Sequence, residues 1–188
     1  MDFQVVNRAL RDINNLFAPM LMETNYQELD SLISWPNYIP GVLNAIAYAA
    51  EYQRLIDKKQ FSFLLMDKSF FQFFFEFNDD EVISARLAYY PAPVKISGAM
   101  DDIIEVAEMS GVDLLEELYF GAENWIERGI DIVNTSHIRL DYDSTVTSHS
   151  PCHIQFGGIN EFRIPSRGLI NPFVFFEWVC KNTGIDGL

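Results

Sequence analysis

The spacing of apolar residues divides the chain into a helical beginning and a strand-rich remainder. Between residues 2 and 22, apolar side chains recur three and four positions apart, which is typical of an amphipathic helix. They are Phe3, Val6, Leu10, Ile13, Leu16 and Phe17. The pattern also predicts a short second helix from Tyr26 to Ile33 and a third from Gly41 to Asp57. Residues 1–58 are therefore expected to be mainly helical.

Later runs, rich in aromatic and β-branched residues, predict six strands. They cover residues 61–66, 70–77, 81–90, 137–143, 152–156 and 161–164. Short polar turns join several neighbouring runs, and strands joined in this way pair antiparallel. In the second run, alternation places one set of aromatic residues on a single face, since successive side chains of a strand point to opposite sides. This face, which is expected to pack on helices, carries Phe71, Phe73, Phe75 and Phe77.

Helical spacing returns at two later places. Residues 101–128 predict a helical insertion, and Pro172 is expected to open a C-terminal helix that stops at Gly184, because proline is tolerated at the first helical position. The order of elements predicts an α+β fold. In this fold an antiparallel sheet of about six strands has helices packed on one face, and the helical insertion lies between two three-stranded halves.

The length of 188 residues suits a single domain. Within it, we expect N-terminal helices at 1–58, the sheet and helical insertion at 59–165, and the C-terminal helix at 171–183. Cys152 and Cys180 belong to no CxxC pair, so free thiols are expected.

The net charge of the chain argues against direct binding to nucleic acid or anionic membranes. The chain has 27 acidic and 13 basic residues and a formal net charge of −14, so its overall field does not attract nucleic acid or anionic membranes. Nucleic acid is expected to be reached only indirectly, through another protein. The N-terminus lacks a signal-peptide pattern, and no run approaches the roughly 18 apolar residues of a membrane span. A cytoplasmic location without membrane contact is expected.

All three histidines lie in one stretch, residues 137–158. Alternation along the predicted strands places its polar side chains on one face. If all six strands form one sheet, this face carries Arg86, His137, Arg139, Asp141, His153, Gln155, Glu161 and Arg163. One face of an antiparallel sheet often meets water, so a solvated or partner-covered surface is one interpretation. A functional site is the other, because histidine and arginine stand where threonine and lysine are more usual.

The candidate binding residues follow from side-chain chemistry. Arginine grips carboxylate or phosphate through a planar fork. Arg167 is included because it flanks a turn before the last helix, whose first backbone N–H groups suit an anion, although an ordinary strand-to-helix corner also explains that turn. The candidates are Arg86, His137, Arg139, Gln155 and Arg167.

A catalytic alternative uses other residues of the same face. His149, His153 and Asp141 are candidate acid–base groups or ligands of a divalent metal, with Arg163 on a phosphate. Histidines four apart face one another only on a helix, whereas this segment predicts a turn. The order Asp141 then Glu161-Phe162-Arg163 resembles a metal-dependent nuclease pattern, but arginine cannot replace its lysine as a base.

Other chemistries have less support in the sequence. Cys152 and His153 are neighbours on a predicted strand, so they point to opposite faces and cannot form a thiol–imidazole pair. The chain contains no GxGxxG, Walker A or GxSxG motif. No cofactor is predicted, and the metal, if any, is unknown.

Several blocks of the second half resemble a known family. They are RLAYYPAP, RLDYDS, SHSPCHIQFGG, FRIPSRG and INPFVFFEWV. They look like an uncharacterised bacterial family that accompanies a helicase in two-gene antiphage defence modules. The resemblance implies an accessory or regulatory subunit that binds the helicase or another larger defence protein, and it assigns no catalytic residue.

An acidic domain suits the basic surface of a nucleic-acid motor. The sequence leaves two other functions open. One is a histidine- and aspartate-dependent hydrolase, either a nuclease or a nucleotide phosphoesterase. The other is an antitoxin-like inhibitor that acts through its acidity. The oligomeric state does not follow from the sequence.

Overall fold

The computed structural model describes residues 1–39, 48–96, 130–157 and 162–185. Its elements, in chain order, are α1 (Phe3–Leu16), a 3-10 helix (Ala18–Met20), β1 (Leu21–Thr24), β2 (Gln27–Leu29), β3 (Leu32–Ser34), α2 (Tyr48–Asp57), β4 (Phe63–Leu65), β5 (Phe70–Asn78), β6 (Glu81–Tyr90), β7 (Val94–Ile96), β8 (Ile130–Ile132), β9 (Ile138–Asp143), β10 (Cys152–Phe156), β11 (Arg163–Pro165) and α3 (Pro172–Thr183).

Helix α1 begins and ends through local chemistry. The Asp2 carboxylate accepts a hydrogen bond from the backbone N–H of Val5 at 2.8 Å, which satisfies one of the free donors of the first turn. Beyond Phe17 the chain tightens into the 3-10 helix that contains Pro19. The helix predicted over 2–22 is therefore correct up to Leu16 and wrong beyond it, because the last residues enter β1.

One antiparallel sheet of nine strands organises the fold. Its order is β1-β4-β5-β6-β9-β10-β11, with β3 also paired to β5 and β2 paired to β3, while β7 and β8 form a separate two-stranded sheet. The α+β class is confirmed. The number of strands was predicted too low, because three strands from the supposedly helical N-terminal segment join the sheet.

The helix predicted from Tyr26 to Ile33 is wrong. This segment forms the β2–β3 hairpin, and Leu32 and Ile33 pair with Glu76 and Phe75 of β5. An exposed strand edge offers backbone donors and acceptors that must be satisfied. Pairing with β5 thus outweighs the helical spacing of a few apolar residues.

Helices cover both faces of the sheet. On one face α1 and α3 bury a core with β5 residues Phe71, Phe73, Phe75 and Phe77, as the alternation predicted. On the other face α2 packs over Phe70, Ala88 and Tyr90. The helices therefore do not all lie on one side, and the face that was expected to be polar carries a second apolar cluster at one end.

The C-terminal helix has the predicted ends. Asn171 caps α3 by accepting from the N–H of Phe173 at 2.9 Å, Pro172 occupies the first turn, and Gly184 ends the helix with φ of 68°, where glycine carries no Cβ penalty. The helical insertion at 101–128, residues 41–47 of the third predicted helix, the turn at 158–160 and Glu161 lie outside the described residues. Within the described ranges, no helix is long and apolar enough to cross a membrane.

Candidate functional site

Strand register gathers most of the predicted site residues on one face. Arg86 of β6 lies opposite Asp141 of β9, and Asp141 lies opposite His153 of β10. Gln155 is paired with Arg139 on one side and with Arg163 of β11 on the other. Directly opposed residues project to the same side of a sheet. The shared surface predicted from alternation is therefore present for these six side chains.

Asp141 is the centre of a hydrogen-bonded group on this face. Its Oδ1 accepts from Nε of Arg86 at 3.2 Å, and its Oδ2 accepts from Nε of Arg139 at 2.7 Å and from Nε2 of Gln155. We call these four residues the Asp141 network. A carboxylate has about four acceptor positions, and three are used here. The Asp141 network therefore leaves this carboxylate little capacity to act as a free base or a metal ligand.

His153 is bound at both ring nitrogens. Its Nδ1 lies 3.2 Å from the backbone oxygen of Ser150, and its Nε2 lies 3.0 Å from Nε2 of Gln155. A carbonyl only accepts and an amide nitrogen only donates, so the proton is assigned to Nδ1. The side chain is buried, and burial lowers the pKa of His153. The imidazole is thus neutral at pH 7 and holds β10 to the preceding turn.

His149 lies closer to His153 than the sequence predicted. The two ring centroids are 4.8 Å apart, because the turn before β10 folds back over the strand. The expectation that only a helix brings such a pair together is wrong here. His149 is exposed, and its Nδ1 lies 3.0 Å from Oγ of Ser148. In the part of the chain that the structure describes, no three histidine, cysteine or acidic side chains form a group able to hold a metal ion.

The two outer arginines are separate from the Asp141 network. Arg163 is exposed on β11 at the border of the sheet, and Arg167 is exposed in the corner before α3. Arg163 shares the polar face with His153, whereas Arg167 lies beyond the last strand. The four catalytic candidates therefore do not all point into one enclosed site: Asp141 and His153 are engaged in the fold, and His149 and Arg163 face solvent.

His137 occupies a buried position where α2 covers the sheet. Its ring stacks on Tyr90 with centroids 4.5 Å apart, and its Nδ1 lies 3.7 Å from Oε2 of Glu51. Burial, together with the positive charge of Arg139, lowers the pKa of His137 to about 4. Burial also raises the pKa of Glu51. At neutral pH this contact is therefore a neutral imidazole beside a carboxyl group, and not an ion pair.

Sequence reasoning missed the contribution of α2 to this face. Glu51 accepts a hydrogen bond from the hydroxyl of Tyr90 at 3.2 Å, and Tyr48 packs within 6.4 Å of both Tyr90 and His137. Residues three and four apart share one face of a helix, and Tyr48, Glu51 and Tyr52 follow that spacing. This spacing indicated that the three side chains share one face of the helix, but it did not indicate which side of the sheet the helix would cover.

Both cysteines are buried, and Cys152 and His153 point to opposite sides of β10, as predicted. Cys152 is buried in the core with α1 and α3, on the side of β10 opposite to His153, so the two do not form a catalytic pair. Burial raises the pKa of Cys152 and raises that of Cys180 to about 12. Both are free thiols, and burial keeps them protonated and unreactive.

Residues 17–183 match the model of the family described as "Uncharacterized conserved protein (DUF2290)". The protein belongs to this family. The family match includes every strand of the nine-stranded sheet, all of α2 and α3, and the residues of the Asp141 network. No curated protein and no solved structure matches the chain.

Proposed function

We propose that this protein is an accessory or regulatory subunit without catalytic activity of its own, which binds a larger protein. The observation that carries the proposal is that the acidic and histidine side chains of the polar face are hydrogen-bonded within the fold. Asp141 accepts three hydrogen bonds within the fold, and both nitrogens of His153 are engaged. Groups used in this way stabilise the sheet and are poorly placed to activate water or hold a metal.

The partner proposed is a helicase in a bacterial antiphage defence complex. Two arguments support it. The sequence blocks from RLAYYPAP to INPFVFFEWV resemble a family that accompanies a helicase in antiphage defence modules. The net charge of −14 also favours a basic partner, and proteins that move along nucleic acid carry basic surfaces, so complementary fields would speed the association.

An exposed apolar strip on α3 is the proposed contact surface. Val174 and Trp178 lie four residues apart, on one side of the helix, and are 52% and 46% exposed. Large side chains of this kind, tryptophan above all, supply much of the binding energy at protein interfaces. The strip lies on the outer side of α3, away from the Asp141 network, so binding there would leave the polar face uncovered.

The proposal predicts that a neighbouring gene encodes a helicase, and this helicase, purified separately, is titrated with the protein. We expect saturable one-to-one binding that weakens about tenfold or more as salt rises from about 50 to 500 mM, because screening shortens the range of charge attraction. Absence of binding at the lower salt concentration, with both proteins folded, would reject this partner.

A hydrolase remains the second candidate, and one observation favours it. His149 and His153 have ring centroids 4.8 Å apart, a separation from which two imidazoles can converge on one ion after a rotamer change. Elemental analysis of protein purified without chelators tests this candidate. A transition metal present in the native protein and lost in His149→Ala would favour the hydrolase over the accessory subunit.

A further inference from the structure

Two arginines of the Asp141 network are only partly used by the fold. Arg86 and Arg139 each donate to Asp141 through Nε. Among the described residues, no group accepts a hydrogen bond from their terminal Nη atoms. Their side chains are 29% and 24% exposed, so both arginines are mostly buried and still partly reachable from solvent. The fold thus orients two guanidinium groups and leaves their outer donors available.

The two arginines share one carboxylate as their hydrogen-bond acceptor, Asp141. Burial raises the pKa of Glu51 of α2 overall, but this residue also lies near enough to Arg86 and Arg139 for their charges to oppose that rise. Glu51 accepts a hydrogen bond from the hydroxyl of Tyr90 and, among the described residues, forms no ion pair with either arginine. The arginine pair therefore keeps free Nη donors for an external anion.

The neighbouring strands place a small and an aromatic side chain beside the arginine pair. Arg139 lies opposite Ala88, whose side chain is a single methyl group. Arg86 lies opposite Phe74, and the ring of Phe74 is stacked by Tyr38 with centroids 4.6 Å apart. Burial alone would lower the pKa of the Arg86 guanidinium group, but Asp141 and Tyr38 lie near enough to raise it.

We propose that Arg86 and Arg139 bind the phosphate group of a small molecule, either inorganic phosphate or a phosphate monoester. Guanidinium forks match the oxygens of a phosphate group through paired, charge-assisted hydrogen bonds. A nucleic acid is a poor occupant, because a protein with a net charge of −14 repels a polyanion over many phosphates. The site does not depend on the proposed helicase partner, since the exposed apolar strip of α3 lies elsewhere.

Calorimetric titration and thermal unfolding with inorganic phosphate test the site. Ribose 5-phosphate is the second probe, and ribose and sodium chloride at matched ionic strength are the blanks. We expect saturable binding of at least one phosphate probe and a rise in Tm as its concentration increases. Preference for ribose 5-phosphate over inorganic phosphate would identify a monoester ligand. Absence of saturable binding of both probes would overturn the proposal.

Two variants distinguish phosphate binding by the arginine pair from an effect of the protein's net charge. Arg139→Gln is expected to weaken phosphate binding about tenfold or more. Arg8→Gln removes the same charge from an exposed position of α1, on the other side of the sheet, and is expected to bind as the original protein does. Equal losses in both variants would show that only net charge matters and would reject the site.

A third variant covers the case in which Arg139→Gln does not fold. Arg139→Lys keeps the positive charge and one donor to Asp141 but lacks the planar fork. Weaker phosphate binding by a variant that unfolds at the same denaturant concentration supports the arginine pair. Unchanged phosphate affinity in Arg139→Lys would contradict it.

Discussion

The imidazole of His137 lies directly against the backbone of Gly157. The N–H of Gly157 donates to the carbonyl oxygen of His137 at 3.1 Å, and a Cβ atom at position 157 would come within 2.5 Å of the ring atoms Cε1 and Nδ1. Real Cβ atoms essentially never approach so closely. The ring is also stacked on Tyr90, so it has little freedom to move away.

Gly157→Ala is therefore expected to destabilise the protein by about 1–3 kcal/mol, the usual cost of forcing an extra methyl group into a packed site. Chemical denaturation monitored by circular dichroism measures the change. Gly168→Ala is the matched control, because a Cβ there meets nothing within 4 Å. Equal stability of the two variants would show that the His137 ring moves aside at little cost in free energy.

The Asp141 network gives a second prediction. Asp141→Asn keeps the shape of the side chain but removes the negative charge that faces Arg86 and Arg139. Since the Asp141 side chain is 17% exposed, we expect a loss of about 1–3 kcal/mol, below the cost of breaking a fully buried pair. Asp12→Asn, an exposed site on α1, should change the free energy of unfolding by about 0.5 kcal/mol or less. Similar effects of both substitutions would mean that the network contributes little stability.

Protonation of His137 is expected to destabilise the fold in mild acid. Its pKa is lowered to about 4 in the folded protein, whereas an unfolded histidine titrates near 6.5. The unfolded state therefore takes up the proton first, so this contribution is complete above pH 6.5 and is lost as pH falls towards 4. By linkage the loss is on the order of 2–3 kcal/mol.

The pH dependence of unfolding in the original protein and in His137→Gln isolates this contribution. Glu51 has a raised pKa, so its contribution to stability is lost as pH rises, which is opposite to that of His137. Both proteins contain Glu51, so the comparison still isolates His137. We expect the stability of the original protein to fall more steeply between pH 7 and 4.5. Parallel curves would refute the assignment, as would an NMR titration of the His137 ring near pH 6.5.

The exposed apolar strip of α3 provides the prediction for partner binding. Trp178→Ala should weaken the affinity for the proposed helicase partner by about 2 kcal/mol or more, roughly thirtyfold, with little effect on folding because the side chain is 46% exposed. His149→Ala, an exposed site on the polar face, should bind normally. If His149→Ala abolishes binding and Trp178→Ala does not, the polar face and not α3 is the contact surface.

Much of the sheet was predictable because its pattern is local. The alternating phenylalanines of β5, the proline and glycine at the ends of α3, and the opposite orientation of Cys152 and His153 all follow from neighbouring residues in the sequence. The shared face of Arg86, Asp141 and His153 followed from the same alternation, once the strands were assumed to form one sheet.

Features that depend on distant residues were not predictable. Leu32 and Ile33 look helical by spacing, and only the edge of β5 makes them a strand. The position of Glu51 near His137 depends on which face α2 covers. The sequence placed Asp141 among arginines, but it did not indicate that the carboxylate would accept three hydrogen bonds and lose its availability for chemistry.

Purification of the native protein from cells that express its neighbouring genes, with identification and stoichiometry of what accompanies it, tests the central claim most directly. The accessory-subunit proposal predicts a helicase present in stoichiometric amount, retained in His149→Ala and lost in Trp178→Ala. Protein that is isolated alone, with a bound transition metal that disappears in His149→Ala, would contradict the proposal and direct attention to hydrolysis.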